Sequence, residues 1–281
     1  MNLANEPVVD ELIEMRGLRF HFRDWAARRA DAPSLVLLHG YTSHARSWDA
    51  FAEAMTDRYR VLALDQRGHG ESAWGPVELY GIDEMALDLE AFVGALGLTD
   101  FALLGLSMGG MVAVDYAGRR PRALAACVIV EIGPEIVQSG GARIQAAVAA
   151  SDVFASRDEA FAIARANNPL PPDANLRHRS DASLMRTEDG RWTYRYDRVL
   201  RSPVNLRRRD AATGWASCAN IAVPTQIIRG DLSDILAPEI AQRMVETIPD
   251  ARLDVVARSG HAVPLDAPEG FLAAAREFLR G

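Results

Sequence analysis

Short apolar runs alternate with segments of helical periodicity along most of the 281-residue chain. The runs SLVLLHG (34–40) and RVLALD (60–65) are almost entirely apolar. The segment between them, SWDAFAEAMTDR (47–58), spaces its apolar residues as one face of a helix does, and so does 82–97. Because such strands can hide both faces only between helices, the alternation predicts a parallel sheet covered by helices on both sides.

The pattern continues toward the C-terminus and is preceded by a pair of strands. Residues 12–25 read as two short strands joined at Gly17. The fold class predicted from the residues alone is therefore α/β. Further strands of the sheet are indicated by apolar runs at 101–105, 126–133, 224–231 and 251–257.

Charge and composition exclude several classes of function. The formal net charge of -7 provides no basic field for a phosphate backbone, although Arg207-Arg208-Arg209 forms a local basic run. We therefore expect no nucleic-acid partner. The lack of a signal sequence or a long apolar stretch predicts a cytoplasmic protein with no membrane partner. All 31 basic residues are arginine, so no lysine can form the Schiff base of pyridoxal-phosphate enzymes.

The alternation of strands and helices stops between about Pro134 and Thr213. This stretch is polar and mostly helical. An insertion of this size after the sixth core strand predicts a helical cap or lid. The prediction divides the chain into a first core part (1–133), a cap (134–213) and a second core part (214–281).

Three aromatic residues of the predicted cap are candidates for contact with a substrate. Trp192, Tyr194 and Tyr196 alternate along the chain, as the residues on one face of an extended segment do. The same spacing suits ordinary packing within a cap, and the sequence leaves both interpretations open.

The stretch FALLGLSMGGMVAVDY (101–116) places a serine between glycines at the junction of a strand and a helix. In a G-x-S-x-G turn of this kind the serine has strained backbone angles, and the residues two before and two after it must be small. Ser107 is therefore the candidate nucleophile, flanked by Gly105 and Gly109. The alternative is a serine that only caps the following helix.

A serine hydroxyl needs a base to accept its proton. His261 follows the last predicted strand, where a loop can reach the carboxyl edge of the sheet, and it is the candidate base. His39 and His69 are assigned to local ordering of loops. We place His21, His44 and His178 at the surface or in loops.

The acid that orients this histidine is expected in the loop after the seventh strand. Asp234 is the first choice, and Asp231 is assigned to the turn next to its glycine. Glu131, at the end of the sixth strand, is the alternative acid. The order Ser107, Asp234, His261 is that of the α/β-hydrolase triad.

The chain resembles the α/β-hydrolase superfamily over nearly its whole length. The resemblance implies an eight-stranded, mostly parallel sheet and an oxyanion hole formed by the backbone N–H groups of Tyr41 and Met108. We also expect no cofactor and no metal. The blocks that carry it are LLHGYTSHARSW (37–48), LDQRGHGES (64–72), GLSMGG (105–110), RGDLSDILAP (229–238) and SGHAVPLDAPE (259–269).

Departures from related enzymes narrow the expected chemistry. A serine in place of the aspartate nucleophile disfavours haloalkane dehalogenase and epoxide hydrolase activity. The C–C bond hydrolases of aromatic meta-cleavage pathways often carry a tryptophan after the catalytic histidine, where this chain has Ala262. The sequence therefore predicts hydrolysis of a small carboxylic ester or lactone through an acyl-enzyme. The alternatives are C–C bond hydrolysis and a non-catalytic, ligand-binding role.

Overall fold

Eleven strands occur in the parts of the chain that the computed structural model describes, residues 8–150, 152–202 and 210–279. The run Arg207-Arg208-Arg209 lies outside these residues. The strands are β1 Val9–Met15, β2 Leu18–Trp25, β3 Ser34–Leu38, β4 Arg60–Leu64, β5 Phe101–Leu106, β6 Leu124–Val130, β7 Val153–Phe154, β8 Leu184–Arg186, β9 Trp192–Tyr194, β10 Thr225–Gly230 and β11 Ala251–Val256.

Eight of these strands form one sheet in the order β1-β2-β4-β3-β5-β6-β10-β11. Strand β2 runs antiparallel to both of its neighbours, and every other pairing is parallel. The predicted eight-stranded, mostly parallel sheet is confirmed. Because the parallel strands are in register at their carboxyl ends, the loops that follow β3, β5, β6, β10 and β11 gather at one edge.

Helices cover both faces of the sheet, which explains the uninterrupted apolar strands. The helices are α1 Asp49–Met55, α2 Ile82–Ala95, α3 Met108–Gly118, α4 Gln138–Ala149, α5 Arg157–Asn167, α6 Asp173–Ala182, α7 Ala211–Asn220, α8 Pro238–Thr247, α9 Val263–Asp266 and α10 Pro268–Phe278. In β3, Val36 and Leu38 belong to the hydrophobic cluster under α2, α3, α7 and α8, whereas Leu35 and Leu37 belong to the cluster under α1 and α10.

The segment inserted after β6 contains a small sheet as well as helices. Helices α4 to α6 accompany an antiparallel sheet of order β7-β9-β8, which the sequence does not predict. Its short strands and Gly190 turn give too little alternation to stand out from a loop. The predicted cap boundary at residue 213 falls inside α7. This helix packs on α3 of the core. The packing is tight, because a Cβ at Gly118 of α3 would lie 2.9 Å from Ser217 of α7.

Polar contacts join this inserted segment to the core. The Tyr41 hydroxyl donates to the carbonyl of Leu200, and the Tyr80 hydroxyl donates to Asp197 at 2.7 Å. Among the described residues no helix is long and apolar enough to cross a bilayer.

Close approach of backbones at the β5–α3 turn yields a stability prediction. A Cβ on Gly109 would lie 2.4 Å from the carbonyl oxygen of Leu38, an atom of β3 that cannot move aside. We expect Gly109→Ala to lower the free energy of unfolding by about 1–3 kcal/mol or more. Gly94→Ala is the control, because a Cβ there, within α2, meets nothing within 4 Å. That change should stabilise by about 0.5–1 kcal/mol. Urea unfolding measures both, and equal effects would contradict the close packing of the turn.

Candidate active site

The turn between β5 and α3 holds Ser107 in a strained conformation. Its φ is 53° and its ψ is -115°, outside the regions that most residues adopt. The turn is fixed from the neighbouring strand, since the Ser107 N–H donates to the carbonyl of Val130 at 2.9 Å. A Cβ at Gly105 would lie 2.2 Å from the carbonyl oxygen of Gly109, and a Cβ at Gly109 would lie 2.4 Å from the carbonyl oxygen of Leu38. Both positions therefore require glycine. The strain therefore sits at the residue that the sequence nominates as nucleophile.

His261 lies beside this serine. Its Nε2 atom is 3.0 Å from the Ser107 Oγ atom, which is hydrogen-bonding distance. The histidine precedes the short helix α9 in the loop after β11, and its side chain is 18% exposed. The structure thus brings together the predicted nucleophile and the predicted base, which are 154 positions apart in the chain.

The carboxylate that contacts His261 belongs to Glu131. Its Oε2 atom lies 3.3 Å from the His261 Nδ1 atom, and the side chain is fully buried at the end of β6. Two further donors hold it, because the Gly230 N–H approaches Oε1 at 2.6 Å and the Ser233 hydroxyl approaches Oε2 at 2.5 Å. Glu131 also has a positive φ of 56°, which turns its side chain back toward the sheet edge.

Asp234, the first-choice acid of the sequence analysis, does not lie against His261. Its carboxylate forms a two-pronged ion pair with Arg143 of α4, at 2.7 and 2.8 Å. That hydrogen bond holds the pKa of Asp234 below its usual range. The structure therefore corrects the placement: Glu131, the alternative acid, occupies the position expected of Asp234.

The turn after β10 explains the correction. The Ser233 Oγ atom accepts hydrogen bonds from the N–H groups of Ile235 and Leu236, so this side chain is turned inward toward Glu131. Asp234 then points the other way, toward the inserted segment. Asp231 remains local, where its carboxylate accepts from the Ser259 N–H at 3.1 Å.

The predicted oxyanion donors lie on both sides of the serine. Met108 is the first residue of α3. Tyr41 follows Gly40, which lies so close to the serine that a Cβ at this position would be 3.4 Å from the Ser107 Cβ. Within the described chain, neither N–H donates a hydrogen bond in a turn or to a side chain. His39 orders this loop, since its Nδ1 pairs with the Gly40 carbonyl at 2.8 Å and its Nε2 accepts from the Gln66 N–H at 3.0 Å.

Two of the histidines assigned to the surface or loops are in fact buried. His21 is 2% exposed and lies 2.7 Å from Asp65, while His44 is 3% exposed and lies 2.9 Å from Ser183 Oγ. Only His178 of this group is exposed, where it pairs with Asp49 at 3.0 Å. The sequence carries no periodic signal for these burials because both contacts join distant segments.

Burial keeps three histidines near the site neutral. It lowers the pKa of His39 and of His44 to about 4 each, and that of His69 to about 3. His69 pairs with the nearby carbonyl of Arg67 at 2.9 Å. The loops around the serine thus rest on uncharged imidazoles.

A cavity of about 760 Å³ opens over the serine between the core and the inserted segment. Ser107, His261, Tyr41 and Met108 all line it. Two of the three predicted aromatic residues do so too, namely Tyr194 and Tyr196, whose rings stack at 5.6 Å. Trp192 does not line it, because its ring is covered by the guanidinium groups of Arg157 and Arg186. In the parts of the chain described, no cluster of three or more His, Cys, Asp or Glu side chains is arranged to hold a metal ion.

Sequence reasoning missed some residues of this site. Ser233 stands one position before Asp234, inside the block RGDLSDILAP (229–238). Its contact with Glu131 depends on the shape of the turn, which the sequence does not show. Arg179 of α6 lines the cavity, and nothing in its sequence surroundings singles it out from the other arginines.

The fold, with Ser107 on a strained turn beside His261, is that of the α/β hydrolases. A family model described as "Alpha/beta hydrolase family" matches residues 35–275. The chain belongs to this family, which confirms the resemblance seen in the sequence.

Named relatives share this family but differ in activity. The chain is 28% identical over 267 residues to the sn-1-specific diacylglycerol lipase ABHD11 of Mus musculus, covering 89% of this chain and 82% of the lipase. It is 26% identical over 277 residues to the N-formylmaleamate deformylase of Pseudomonas putida, covering 95% of each. The crystal structure of E-2-(acetamidomethylene)succinate hydrolase superposes with a TM-score of 0.88 at 22% identity, covering 98% of this chain and 100% of that one. This last similarity shows the fold alone.

The three buried histidines predict loss of stability in mild acid. Their pKa values in the folded state lie below the unfolded value of about 6.5, so the unfolded chain binds more protons as the pH falls. Stability is therefore complete above about pH 6.5 and falls toward pH 4. Between pH 7 and pH 5 we expect a loss on the order of 2 kcal/mol for each histidine that stays neutral. His21 acts the other way: burial lowers its pKa, but the hydrogen bonds and negative charges of Asp65, Glu71 and Asp10 together outweigh burial and raise it.

Urea unfolding at several pH values tests this prediction. His44→Gln should flatten the profile, because it removes one of the lowered groups. His178→Gln is the control and should not flatten it, since a hydrogen bond to Asp49 raises the pKa of that imidazole. A wild-type profile that is level between pH 7 and pH 5 would show that the buried imidazoles titrate normally.

Proposed function

We propose that this protein hydrolyses a small carboxylic ester or lactone through an acyl-enzyme formed on Ser107. One observation carries the proposal: Ser107, His261 and Glu131 form a continuous hydrogen-bonded chain, with links of 3.0 and 3.3 Å, beside a large cavity. This is the arrangement of nucleophile, base and orienting acid that covalent catalysis requires.

In the first step the Ser107 hydroxyl adds to the ester carbonyl carbon while its proton passes to the His261 Nε2 atom. Glu131 holds the opposite ring nitrogen and stabilises the imidazolium. The carbonyl oxygen becomes an anion, which the N–H groups of Tyr41 and Met108 bind, assisted by the N-terminus of α3. His261 then gives its proton to the departing alkoxide oxygen, and the C–O bond breaks.

In the second step water cleaves the acyl-enzyme. His261 takes a proton from the water, whose oxygen adds to the acyl carbon, and the Ser107 oxygen leaves with that proton. The products are a carboxylic acid and an alcohol. A lactone follows the same course, and both products are then parts of one molecule.

The names of the relatives support hydrolysis, but they differ in the type of bond that is cleaved. The mouse relative is named as a lipase, which favours an ester, and the bacterial relative is named as a deformylase. C–C bond hydrolysis and a silent, ligand-binding site are therefore the outcomes against which the ester proposal is tested.

A fluorophosphonate probe followed by a substrate panel provides this test. The proposal expects stoichiometric labelling at Ser107 and turnover of at least one member of a series of p-nitrophenyl esters and simple lactones. Absence of labelling would favour a binding protein. Labelling without turnover of any ester or lactone, together with cleavage of a meta-cleavage product, would favour the C–C hydrolase.

Removal of the nucleophile should abolish turnover without unfolding the chain. Ser107→Ala deletes only a hydroxyl, so its thermal unfolding should remain close to that of the wild type. Turnover should fall by several orders of magnitude, as it does when a triad member is removed. Retention of a tenth of the wild-type kcat would assign the nucleophile to another residue.

The two candidate acids are separated by a matched pair of isosteric variants. Glu131→Gln should lower kcat by about 10⁴-fold, because the amide no longer stabilises the imidazolium. Asp234→Asn should change kcat by less than about tenfold, because this carboxylate pairs with Arg143 and not with His261. Circular dichroism and probe-free thermal unfolding verify that both variants fold. The opposite ranking would restore Asp234 as the acid.

A further inference from the structure

The cavity over Ser107 is lined by an arginine, Arg179, that forms no ion pair with any carboxylate of the described residues. Arg179 lies on α6, is only partly exposed, and lines the cavity together with Ser107 and His261. Across the described residues, no carboxylate lies within 4.0 Å of its guanidinium and no side-chain hydrogen bond uses the guanidinium. The contacts of Arg179 with His44 and with the Ser183 hydroxyl are made by its backbone carbonyl. Burial lowers the pKa of this guanidinium, although Asp266 acts in the opposite direction.

Two arginines near Arg179 differ from it, because each of them is paired with a carboxylate. Arg143 also lines the cavity, and it is held by Asp234 at 2.7 Å. Arg177, on the same helix as Arg179, pairs with Asp158 at 2.6 Å and with Asp181 at 3.0 Å. A cation withdrawn from water without a counter-ion is costly, so an arginine in this position favours an anion in the cavity.

Asp266, the carboxylate whose charge reaches Arg179, already accepts hydrogen bonds from other groups. Asp266 is 7% exposed, and its two oxygens accept from the Gly260 N–H at 2.9 Å and from the Asn168 amide at 2.7 Å. Burial also raises the pKa of Asp266, which weakens it as a counter-ion. The donors of the Arg179 guanidinium therefore remain available to a molecule in the cavity.

The position of Arg179 is fixed relative to the reacting serine. Its carbonyl accepts from the Ser183 hydroxyl at 2.8 Å and lies 3.3 Å from His44 Nε2, while His44 also contacts that hydroxyl at 2.9 Å. His44 belongs to the loop after β3, which carries Tyr41. Burial lowers the pKa of His44 to about 4, and the charge of Arg179 acts in the same direction. The helix that carries Arg179 is thus anchored to the loop that carries Tyr41.

We propose that Arg179 binds a carboxylate of the substrate, so that the preferred substrates are esters with a free carboxylate elsewhere in the molecule. This inference rests on the proposed ester hydrolysis and adds the substrate class to it. A guanidinium presents parallel N–H donors that match the two oxygens of a carboxylate, and the bond is strong where water is excluded. A neutral ester leaves the same charge unpaired and gains nothing from it.

Matched substrates test the proposal. The monomethyl esters of succinic, glutaric and adipic acid are compared with the methyl esters of the corresponding half-amides, which are planar and similar in size but neutral. For at least one chain length, wild-type kcat/KM should favour the carboxylate by about tenfold or more. Arg179→Gln should reduce this ratio to near one, mainly through loss of turnover of the anionic ester. Arg179→Lys should restore part of it, because lysine supplies charge without the paired donors.

Arg177→Gln is the matched control, since it removes an exposed arginine of the same helix and should leave the ratio unchanged. Competitive inhibition by the free dicarboxylates is a second measurement, and it should weaken at least tenfold in Arg179→Gln. Thermal unfolding of each variant records whether α6 stays in place.

The outcomes separate the two proposals. Wild-type turnover of both series without preference for the anion overturns the role of Arg179 and leaves ester hydrolysis standing. Equal losses on charged and neutral esters in Arg179→Gln show that the residue only supports the cap, which also overturns the inference. Failure of the wild type to hydrolyse any ester or to react with the fluorophosphonate overturns the proposed function and the inference with it.

Discussion

A buried carboxylate holds the site together. Glu131 has no exposed surface, so its negative charge is tolerable only because three donors from different parts of the chain surround it. These donors come from the end of β10, from the turn that follows it, and from the loop after β11. One side chain at the end of β6 thereby fixes the relative positions of the loops at the carboxyl edge of the sheet, including the imidazole that faces Ser107.

The parts of this architecture that sequence predicts are those fixed locally. The central strands β3, β4, β5 and β6 hide both faces, so they are apolar almost throughout, and the helical segments at 47–58 and 82–97 show their period within about a dozen residues. The turn around Ser107 is visible in the G-x-S-x-G spacing. Gly105 is required by the backbone of Gly109 close by in the chain, whereas Gly109 is required by the carbonyl oxygen of Leu38 in β3. The placement of His261 beside Ser107 follows from sequence because its block comes after the last strand, and any residue there lies at the carboxyl edge of a parallel sheet.

The sequence could not show which carboxylate contacts His261, because this depends on which way the turn after β10 faces. Ser233 and Asp234 are adjacent, and the hydrogen bonds that the Ser233 hydroxyl accepts decide which of them points inward. Burial of His44 and the open charge of Arg179 depend likewise on how α6 packs against a loop 135 residues earlier in the chain. Trp192 differs from Tyr194 through two arginines that cover its ring, which no alternation pattern encodes.

The Tyr41 hydroxyl bonds to the carbonyl of Leu200 and so joins the inserted segment to the loop after β3. Tyr41 lines the cavity, and its neighbour Gly40 lies against Ser107, where a Cβ would be 3.4 Å from the serine Cβ. A displacement of the inserted segment at Leu200 therefore acts on the same loop that borders the serine. The shape of the cavity and the surroundings of Ser107 are mechanically coupled through this one side chain.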